Sequence, residues 1–130
     1  MDSALTEEGI EKAKELSKRL SDFNIDAIFS SDLKRAKDTA HYIKANHDYF
    51  MLFLPELREM SFGDWEGLTV AQVQSDYKEQ FDNFEKDPLN YENKSGEDFE
   101  TLIKRVSSGI NKIIQMGFEN SLIVTHGITV

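Results

Sequence analysis

Residues 26–43, with the sequence DAIFSSDLKRAKDTAHYI, join a short apolar run directly to a helical pattern. Residues 26–31 are apolar at their centre and polar at both ends, which is typical of a short buried strand. Ser31 is a residue type that caps helices, so it predicts a helix that begins just after the strand. The apolar residues that follow recur at the spacing of one helical face: Leu33, Ala36, Ala40 and Ile43. A strand that leads into an amphipathic helix is the repeating unit of α/β folds.

The same alternation of helix and strand is found on both sides of this stretch. Before it, the apolar spacing predicts a helix over residues 6–22, with Thr6 as the N-cap. After it, residues 50–54, FMLFL, form a second apolar run that Pro55 closes, which indicates another strand. Strands separated by helices favour parallel pairing within one sheet.

The second half of the chain continues with helices and one more strand. Thr69 and Gln72 have the spacing of a capping box, and Ser95 predicts the cap of a long helix that leaves through Gly117. Residues 121–125, SLIVT, are read as the last strand, which gives an α/β fold with a mostly parallel sheet. The helix after the capping box is predicted from the stripe Val70, Val73, Tyr77, Phe81 and Phe84, and the long helix from Phe99, Leu102, Ile103, Val106, Ile110, Ile113 and Ile114.

Length and composition restrict the class of protein. The 130 residues are 39% hydrophobic and 30% charged, as expected for one globular domain over residues 1–130. The net charge of −9 argues against nucleic acid and anionic membranes as partners, and no apolar run approaches the ~20 residues of a bilayer span. The absence of cysteine fits a reducing compartment, so a cytoplasmic location is expected.

Three polar side chains follow the three predicted strands. Ligands of open parallel sheets bind outside the carboxyl ends of the strands, so Arg35, Glu59 and His126 are expected to converge at one edge. Each also has a plainer interpretation. Arg35 could be a surface arginine paired with a neighbouring aspartate, Glu59 could pair with Arg58, and His126 could be a solvated loop histidine. The aspartates considered as partners of Arg35 are Asp32 and Asp38.

The chemistry of these groups suits a phosphoryl site. The guanidinium of Arg35 presents a fork of donors that matches phosphate oxygens. His126 could bind a phosphoryl oxygen or transfer a proton, Glu59 could donate a proton, and Gly127 allows a close backbone approach. The sequence shows neither the spacing of a metal-ligand set nor a glycine-rich nucleotide motif, so neither metal nor cofactor is expected.

Five segments, taken in their order, resemble the histidine phosphatase superfamily, the phosphoglycerate mutase-like proteins. They are DSALTEEGIEKAKEL (2–16), FSSDLKRAKDTA (29–40), LREMSFGDWEG (57–67), SGED (95–98) before a helix with Arg105, and IVTHG (123–127). The resemblance implies a three-layer α/β/α fold and a phosphohistidine mechanism without metal. It implies that a small phosphorylated substrate or inorganic phosphate is bound.

The resemblance also implies a role for each candidate residue. Arg35 would bind the phosphate, and Glu59 would donate and accept the proton. His126 would be the second histidine of the pocket, which stabilises the transferring phosphoryl group, and Gly127 would offer a backbone contact. A phosphatase is favoured over a mutase because residues 75–94 are predominantly acidic, whereas the mutases carry a longer, more basic insertion there.

The sequence departs from the family pattern at both ends. The family opens with a strand that ends in an Arg-His-Gly motif, whose histidine is the nucleophile, and that motif is absent from the 130 residues. We therefore expect an incomplete domain, inactive alone, whose exposed strand edge could support a homodimer. Two alternatives stay open at this point: a phosphoglycerate mutase, and a non-catalytic remnant.

Overall fold

The computed structural model describes residues 2–130. The chain divides into two compact units. One unit comprises Asp2–Glu59 and Val106–Val130 and is called the sheet unit here; the other, Met60–Arg105, is called the aromatic unit. The interpretation of the chain as a single domain stays a prediction.

The sheet unit contains three parallel strands. They are β1 (Ala27–Ser30), β2 (Phe50–Phe53) and β3 (Ser121–Val124), in the order β2-β1-β3. In this register Ile28 of β1 lies opposite Met51 and Leu122. The central strand β1 is fully buried, as the middle strand of a sheet covered on both faces should be. The predicted α/β class and parallel sheet are therefore confirmed.

Two apolar clusters cover the two faces of the sheet. On one face, Phe29 packs with Leu57 and with Ile113 of the last helix, α5 (Phe99–Gln115). On the other face, Ile28 packs with residues of α1 (Glu7–Leu20) and α2 (Lys34–Lys44), among them Leu20, Ala40 and Ile43. Alternate residues of β1 point to opposite faces, so the layers are helix, sheet and helix.

The helix starts of the sheet unit are only partly as predicted. Thr6 caps α1 by accepting a hydrogen bond from the Gly9 N–H (3.1 Å), as expected, but α1 ends at Leu20 rather than at residue 22. Ser31 does not cap α2. The cap position is Leu33, which has no side-chain hydrogen bond to the helix, and the Ser31 hydroxyl faces His126 instead.

In the aromatic unit, the capping box is confirmed and the single long helix is wrong. Thr69 and Gln72 exchange both hydrogen bonds of the box at the start of α3 (Val70–Asp76). Tyr77 then leaves helical geometry (φ −132°, ψ 44°), and α4 (Lys78–Lys86) begins after it. The rings around the buried Trp65 explain the break, since packing against them outweighs an unbroken helix. They belong to Phe62, Tyr77, Phe81, Phe84 and Tyr91.

The start of α5 also differs from the prediction. Asp98, not Ser95, accepts a hydrogen bond from the N–H of Thr101 (2.8 Å) in its first turn. The Ser95 hydroxyl accepts the Asp64 N–H instead (2.9 Å). Ile103 and Ile114, which were assigned to the buried face of α5, are 63% and 68% exposed. The exit through Gly117 is confirmed by its positive φ of 75°.

Residues 2–130 also contain 3-10 turns at Pro55–Leu57, Gly63–Trp65 and Pro88–Asn90. None of the helices in residues 2–130 combines the length and the apolar composition that a membrane span requires.

Candidate functional site

An open cavity of about 340 Å³ lies beyond the carboxyl ends of the strands in the sheet unit. The four residues singled out from the sequence all line it: Arg35 after β1, Glu59 after β2, and His126 and Gly127 after β3. This is the edge at which a parallel sheet gathers its ligand-binding side chains. The remaining lining residues are Leu5, Ala36, Thr39, Val124 and Thr125.

Arg35 lies in the first turn of α2 and is half-buried. Its backbone carbonyl accepts a hydrogen bond from the Thr39 hydroxyl one turn later (2.8 Å). The two aspartates considered as its partners form ion pairs with other cations. Asp32 pairs with Arg58, and Asp38 pairs with Lys34 (3.4 Å). A guanidinium at a helix start adds its charge to the partial positive charge of the helix N-terminus, where the Asp2 carboxylate already accepts the Lys34 N–H.

His126 is buried, with 8% of its surface exposed, two residues after β3 ends. Its Nε2 lies 2.8 Å from the hydroxyl oxygen of Ser31, which follows β1. Its carbonyl oxygen accepts the Val130 N–H (2.9 Å), which closes a turn after the strand. The imidazole is therefore held between neighbouring strand ends rather than lying in solvent, unlike the plainer interpretation of this histidine.

Ser31, which follows β1 and was predicted to cap α2, contacts His126 of the candidate site instead. Its side chain is fully buried, and its backbone N–H donates to the carbonyl of Val124 (2.9 Å), which extends the β1–β3 pairing by one step. Its hydroxyl oxygen also accepts the Leu33 N–H (3.2 Å). The available signal was its position: it is the first polar residue past the buried strand, with a second serine before it.

Glu59 is held by the segment that follows His126. Its Oε2 accepts the Ile128 N–H (3.4 Å), and its Oε1 lies 3.3 Å from the Thr129 hydroxyl. The same hydroxyl donates to the carbonyl of Arg58 (2.8 Å). Arg58 itself pairs with Asp32. Thr129 was not singled out from the sequence, because only the folded chain brings residue 129 beside residue 59.

Two further features shape the cavity wall. The Thr125 hydroxyl donates to the carbonyl of Leu57 (2.6 Å), which ties the exit of β3 to the segment before Glu59. Gly127 is exposed, and a methyl group built on it would meet nothing within 4 Å. Its backbone is therefore open to a ligand.

The arrangement combines a cation, an imidazole and a carboxylate around one space. A tetrahedral oxyanion could accept hydrogen bonds from the guanidinium and from backbone N–H groups, while the imidazole or the carboxyl group exchanges a proton. Among residues 2–130, no three His, Cys, Asp or Glu side chains come together as metal ligands would.

Comparison with known proteins identifies the family of the chain. The model of the histidine phosphatase superfamily (branch 1) matches residues 1–130. The chain is 34% identical over 123 residues to the adenosylcobalamin/alpha-ribazole phosphatase of Salmonella typhimurium. The aligned region covers 94% of this chain and 61% of that relative.

Solved structures agree with the sequence comparison. Bacillus stearothermophilus YhfR superposes with a TM-score of 0.92 at 32% identity, over 98% of this chain and 64% of its own. The complex of mycobacterial glucosyl-3-phosphoglycerate phosphatase Rv2419c with inorganic phosphate gives a TM-score of 0.89 at 26% identity, over 99% of this chain and 66% of its own. The chain thus spans a little under two thirds of the length of these relatives. It belongs to the histidine phosphatase superfamily (branch 1).

Proposed function

We propose that this chain supplies the phosphate-binding and proton-transfer groups of a phosphohistidine-type phosphatase that acts on small phosphate monoesters. The observation that carries the proposal is the single cavity lined by Arg35, Glu59, His126 and Gly127. Phosphate oxygens need a cation, and a leaving alkoxide needs a proton donor. The phosphoryl group needs a hydrogen-bond donor that neutralises its charge during transfer.

Arg35 and Gly127 bind the phosphate in this proposal. Because the chain carries a net charge of −9, an anionic ligand needs a locally positive group, which the Arg35 guanidinium provides at the cavity. His126 donates to the phosphoryl group as charge moves during its transfer, and its burial strengthens that interaction.

Glu59 is the proton donor and acceptor. Its two carboxylate oxygens are approached by the Ile128 N–H and the Thr129 hydroxyl, so its side chain is held at the cavity rather than turned into solvent. A positioned carboxyl group can protonate the leaving alkoxide and then deprotonate the water that completes hydrolysis.

The nucleophile is assigned by the family resemblance to the histidine of an Arg-His-Gly motif, which the 130 residues do not contain. We therefore expect this chain by itself to bind phosphate and not to hydrolyse esters. Two of the relatives described above are named as phosphatases, which supports a phosphatase over the mutase alternative.

Phosphate titration of the 130-residue chain tests the binding half of the proposal. Ring signals of His126 in NMR spectra should shift on adding inorganic phosphate, and Arg35→Ala should weaken binding by about 10- to 100-fold, the value of a charged hydrogen-bonded contact. Lys34→Ala is the matched control, because it removes the same charge one residue earlier without touching the cavity lining. Absence of a phosphate response, or equal affinities of the two variants, would contradict the proposal.

Hydrolysis is tested on the protein isolated from its native source, whose intact mass is measured in the same preparation. Release of phosphate from p-nitrophenyl phosphate, lost in Glu59→Gln, would support the acid–base role of Glu59. A native protein that binds phosphate but releases none from a panel of monoesters would favour the non-catalytic alternative.

Self-association through β3 is a separate proposal. β3 is an edge strand of the three-stranded sheet formed within residues 2–130, and Ile123 on it is 37% exposed. Exposed apolar edges pair with further strands, so a dimer of the 130-residue chain is expected. Sedimentation velocity would show it, and a monomer at every concentration would exclude it.

A further inference from the structure

The hydrogen bond between Ser31 and His126 determines which ring nitrogen of His126 carries the proton. Among residues 2–130, the Ser31 hydroxyl oxygen contacts two hydrogen-bonding groups, the Leu33 N–H (3.2 Å) and His126 Nε2 (2.8 Å). A backbone N–H can only donate, so Ser31 accepts from Leu33 with one of its lone pairs. The orientation of the second bond then follows from the single hydroxyl proton.

Two arrangements of that proton can be compared. If Nε2 carried a proton, the Ser31 oxygen would accept two hydrogen bonds, and its own proton would need an acceptor inside a fully buried site. If Nε2 is unprotonated, the Ser31 hydroxyl donates to it, and the Leu33 N–H, the hydroxyl and Nε2 are all satisfied. An unsatisfied buried donor is costly enough to favour the second arrangement by roughly 10- to 100-fold.

We propose that Ser31 is a positioning residue, which donates to Nε2 and holds neutral His126 as the tautomer protonated at Nδ1. Nδ1–H is then the ring donor that interacts with a phosphoryl oxygen, and this last step rests on the proposed function. The tautomer itself follows from the contacts of Ser31 and not from the proposed function. The ring orientation is fixed at the same time, because Ser31 is bonded through its backbone to Val124, just before His126.

The first test is the ring nitrogen chemical shifts of His126 in the 130-residue chain, measured at a pH where the ring is neutral. Nε2 should resonate as an unprotonated nitrogen and Nδ1 as a protonated one, with His41 and His47 as references in the same spectrum. A wild-type spectrum with the proton on Nε2 would overturn the proposal, whatever the variants do.

The second test compares two neighbouring serines. Ser31→Ala removes the donor to Nε2, whereas Ser30→Ala removes an equally buried hydroxyl that donates to the Ser31 carbonyl (2.8 Å) and not to His126. We expect a redistributed tautomer population and about tenfold weaker phosphate binding in Ser31→Ala only, with recovery in Ser31→Thr. Equal tautomer populations in both alanine variants would overturn the proposal, and if Ser31→Ala does not fold, the wild-type and Ser31→Thr spectra decide.

Failure of the two proposals can be told apart. A wild-type chain that does not bind phosphate but shows the Nδ1–H tautomer, lost in Ser31→Ala, would overturn the proposed function and support the positioning role. A chain that binds phosphate but carries the proton on Nε2 would support phosphate binding and overturn the positioning role of Ser31.

Discussion

Arg58 donates from Nε and Nη2 to the two carboxylate oxygens of Asp32, with an Nη2–Oδ2 distance of 2.7 Å. The pair joins the segment after β1, which carries Ser31 and Arg35, to the segment after β2, which carries Glu59. The hydrogen bond from Arg58 lowers the pKa of Asp32 below its ordinary value, although burial opposes it. The ion pair therefore connects two segments that carry residues of the cavity lining.

Replacing Arg58 by alanine should cost little stability. The Arg58 and Asp32 side chains are 50% and 27% exposed, and exposed pairs contribute about 0.2–1 kcal/mol. Because the pKa of Asp32 is lowered in the folded state, its contribution is present above the unfolded pKa of about 3.9 and is lost as the pH falls through the folded value. Urea unfolding of Arg58→Ala, Asp32→Asn and the double variant measures the coupling. A loss above about 2 kcal/mol, or no change in high salt, would contradict this assignment.

The Glu97–Arg105 pair of the aromatic unit should contribute more. Its side chains are 16% and 22% exposed, two hydrogen bonds of 2.8 and 2.9 Å join them, and Glu97 also accepts the Ser61 N–H (2.8 Å). Burial alone would raise the pKa of Glu97, but the bonds from Arg105 and Ser61 lower it below the ordinary glutamate value. We expect Glu97→Gln to lose about 1–3 kcal/mol at neutral pH.

The pH dependence of that loss follows from the lowered pKa. The contribution of Glu97 is present above the unfolded value of about 4.3 and disappears as the pH falls through the lower folded value. The free energies of unfolding of wild type and Glu97→Gln should therefore converge in acid. Glu100→Gln is the control on the same helix, since its pair with Lys104 is highly exposed and should be worth a few tenths of a kcal/mol. A Glu97→Gln loss that is independent of pH would show that the charge is not responsible.

Sequence periodicity predicted the helices and strands of the sheet unit because each has a hydrophobic face that packs against a regular layer of helix or sheet. β1 reads as a buried apolar run, and Ala40 and Ile43 fall on the buried face of α2 as expected. The aromatic unit was predicted less well, since its core is an irregular set of rings around Trp65. The break at Tyr77 depends on what the rings pack against, which no local pattern records.

The candidate site was predicted to the extent that the strand ends determine it. Arg35, Glu59 and His126 each follow a strand, so parallel pairing alone brings them to one edge. Thr129 and the contact of Ser31 with His126 were missed because they depend on pairwise distances. Ser31 has the residue type and the spacing of an N-cap, and only the folded chain shows that its hydroxyl is used by His126.

Alanine variants of two glycines with positive φ can distinguish the cost of backbone strain from the cost of a steric clash. Gly63 (φ 54°) and Gly117 (φ 75°) both adopt a conformation that alanine disfavours, at a cost of about 1 kcal/mol. A methyl group on Gly63 would lie 2.3 Å from the Ser95 hydroxyl oxygen and 2.4 Å from its carbonyl carbon, whereas on Gly117 it would meet nothing within 4 Å. The free energy of unfolding of Gly63→Ala, measured in thermal or urea melts, should therefore be at least about 2 kcal/mol lower than that of Gly117→Ala. Similar losses would mean that residues 61–64 and 95 move apart readily.

Gly127→Ala should separate phosphate binding from folding. Gly127 lines the cavity, its φ is not in the left-handed region, and a methyl group there would contact nothing within 4 Å, so the free energy of unfolding should change by less than about 0.5 kcal/mol. If a phosphate oxygen approaches the Gly127 backbone, the methyl group holds it away, and phosphate affinity should fall roughly tenfold, equivalent to ~1.4 kcal/mol.

Gly109→Ala is the opposite case, because its methyl group would lie 2.8 Å from Cβ of Glu56 in the same unit and outside the cavity lining. Gly109→Ala should lose stability and keep its phosphate affinity. A Gly127→Ala variant that binds phosphate as wild type does would remove Gly127 from the site and leave binding to side chains alone.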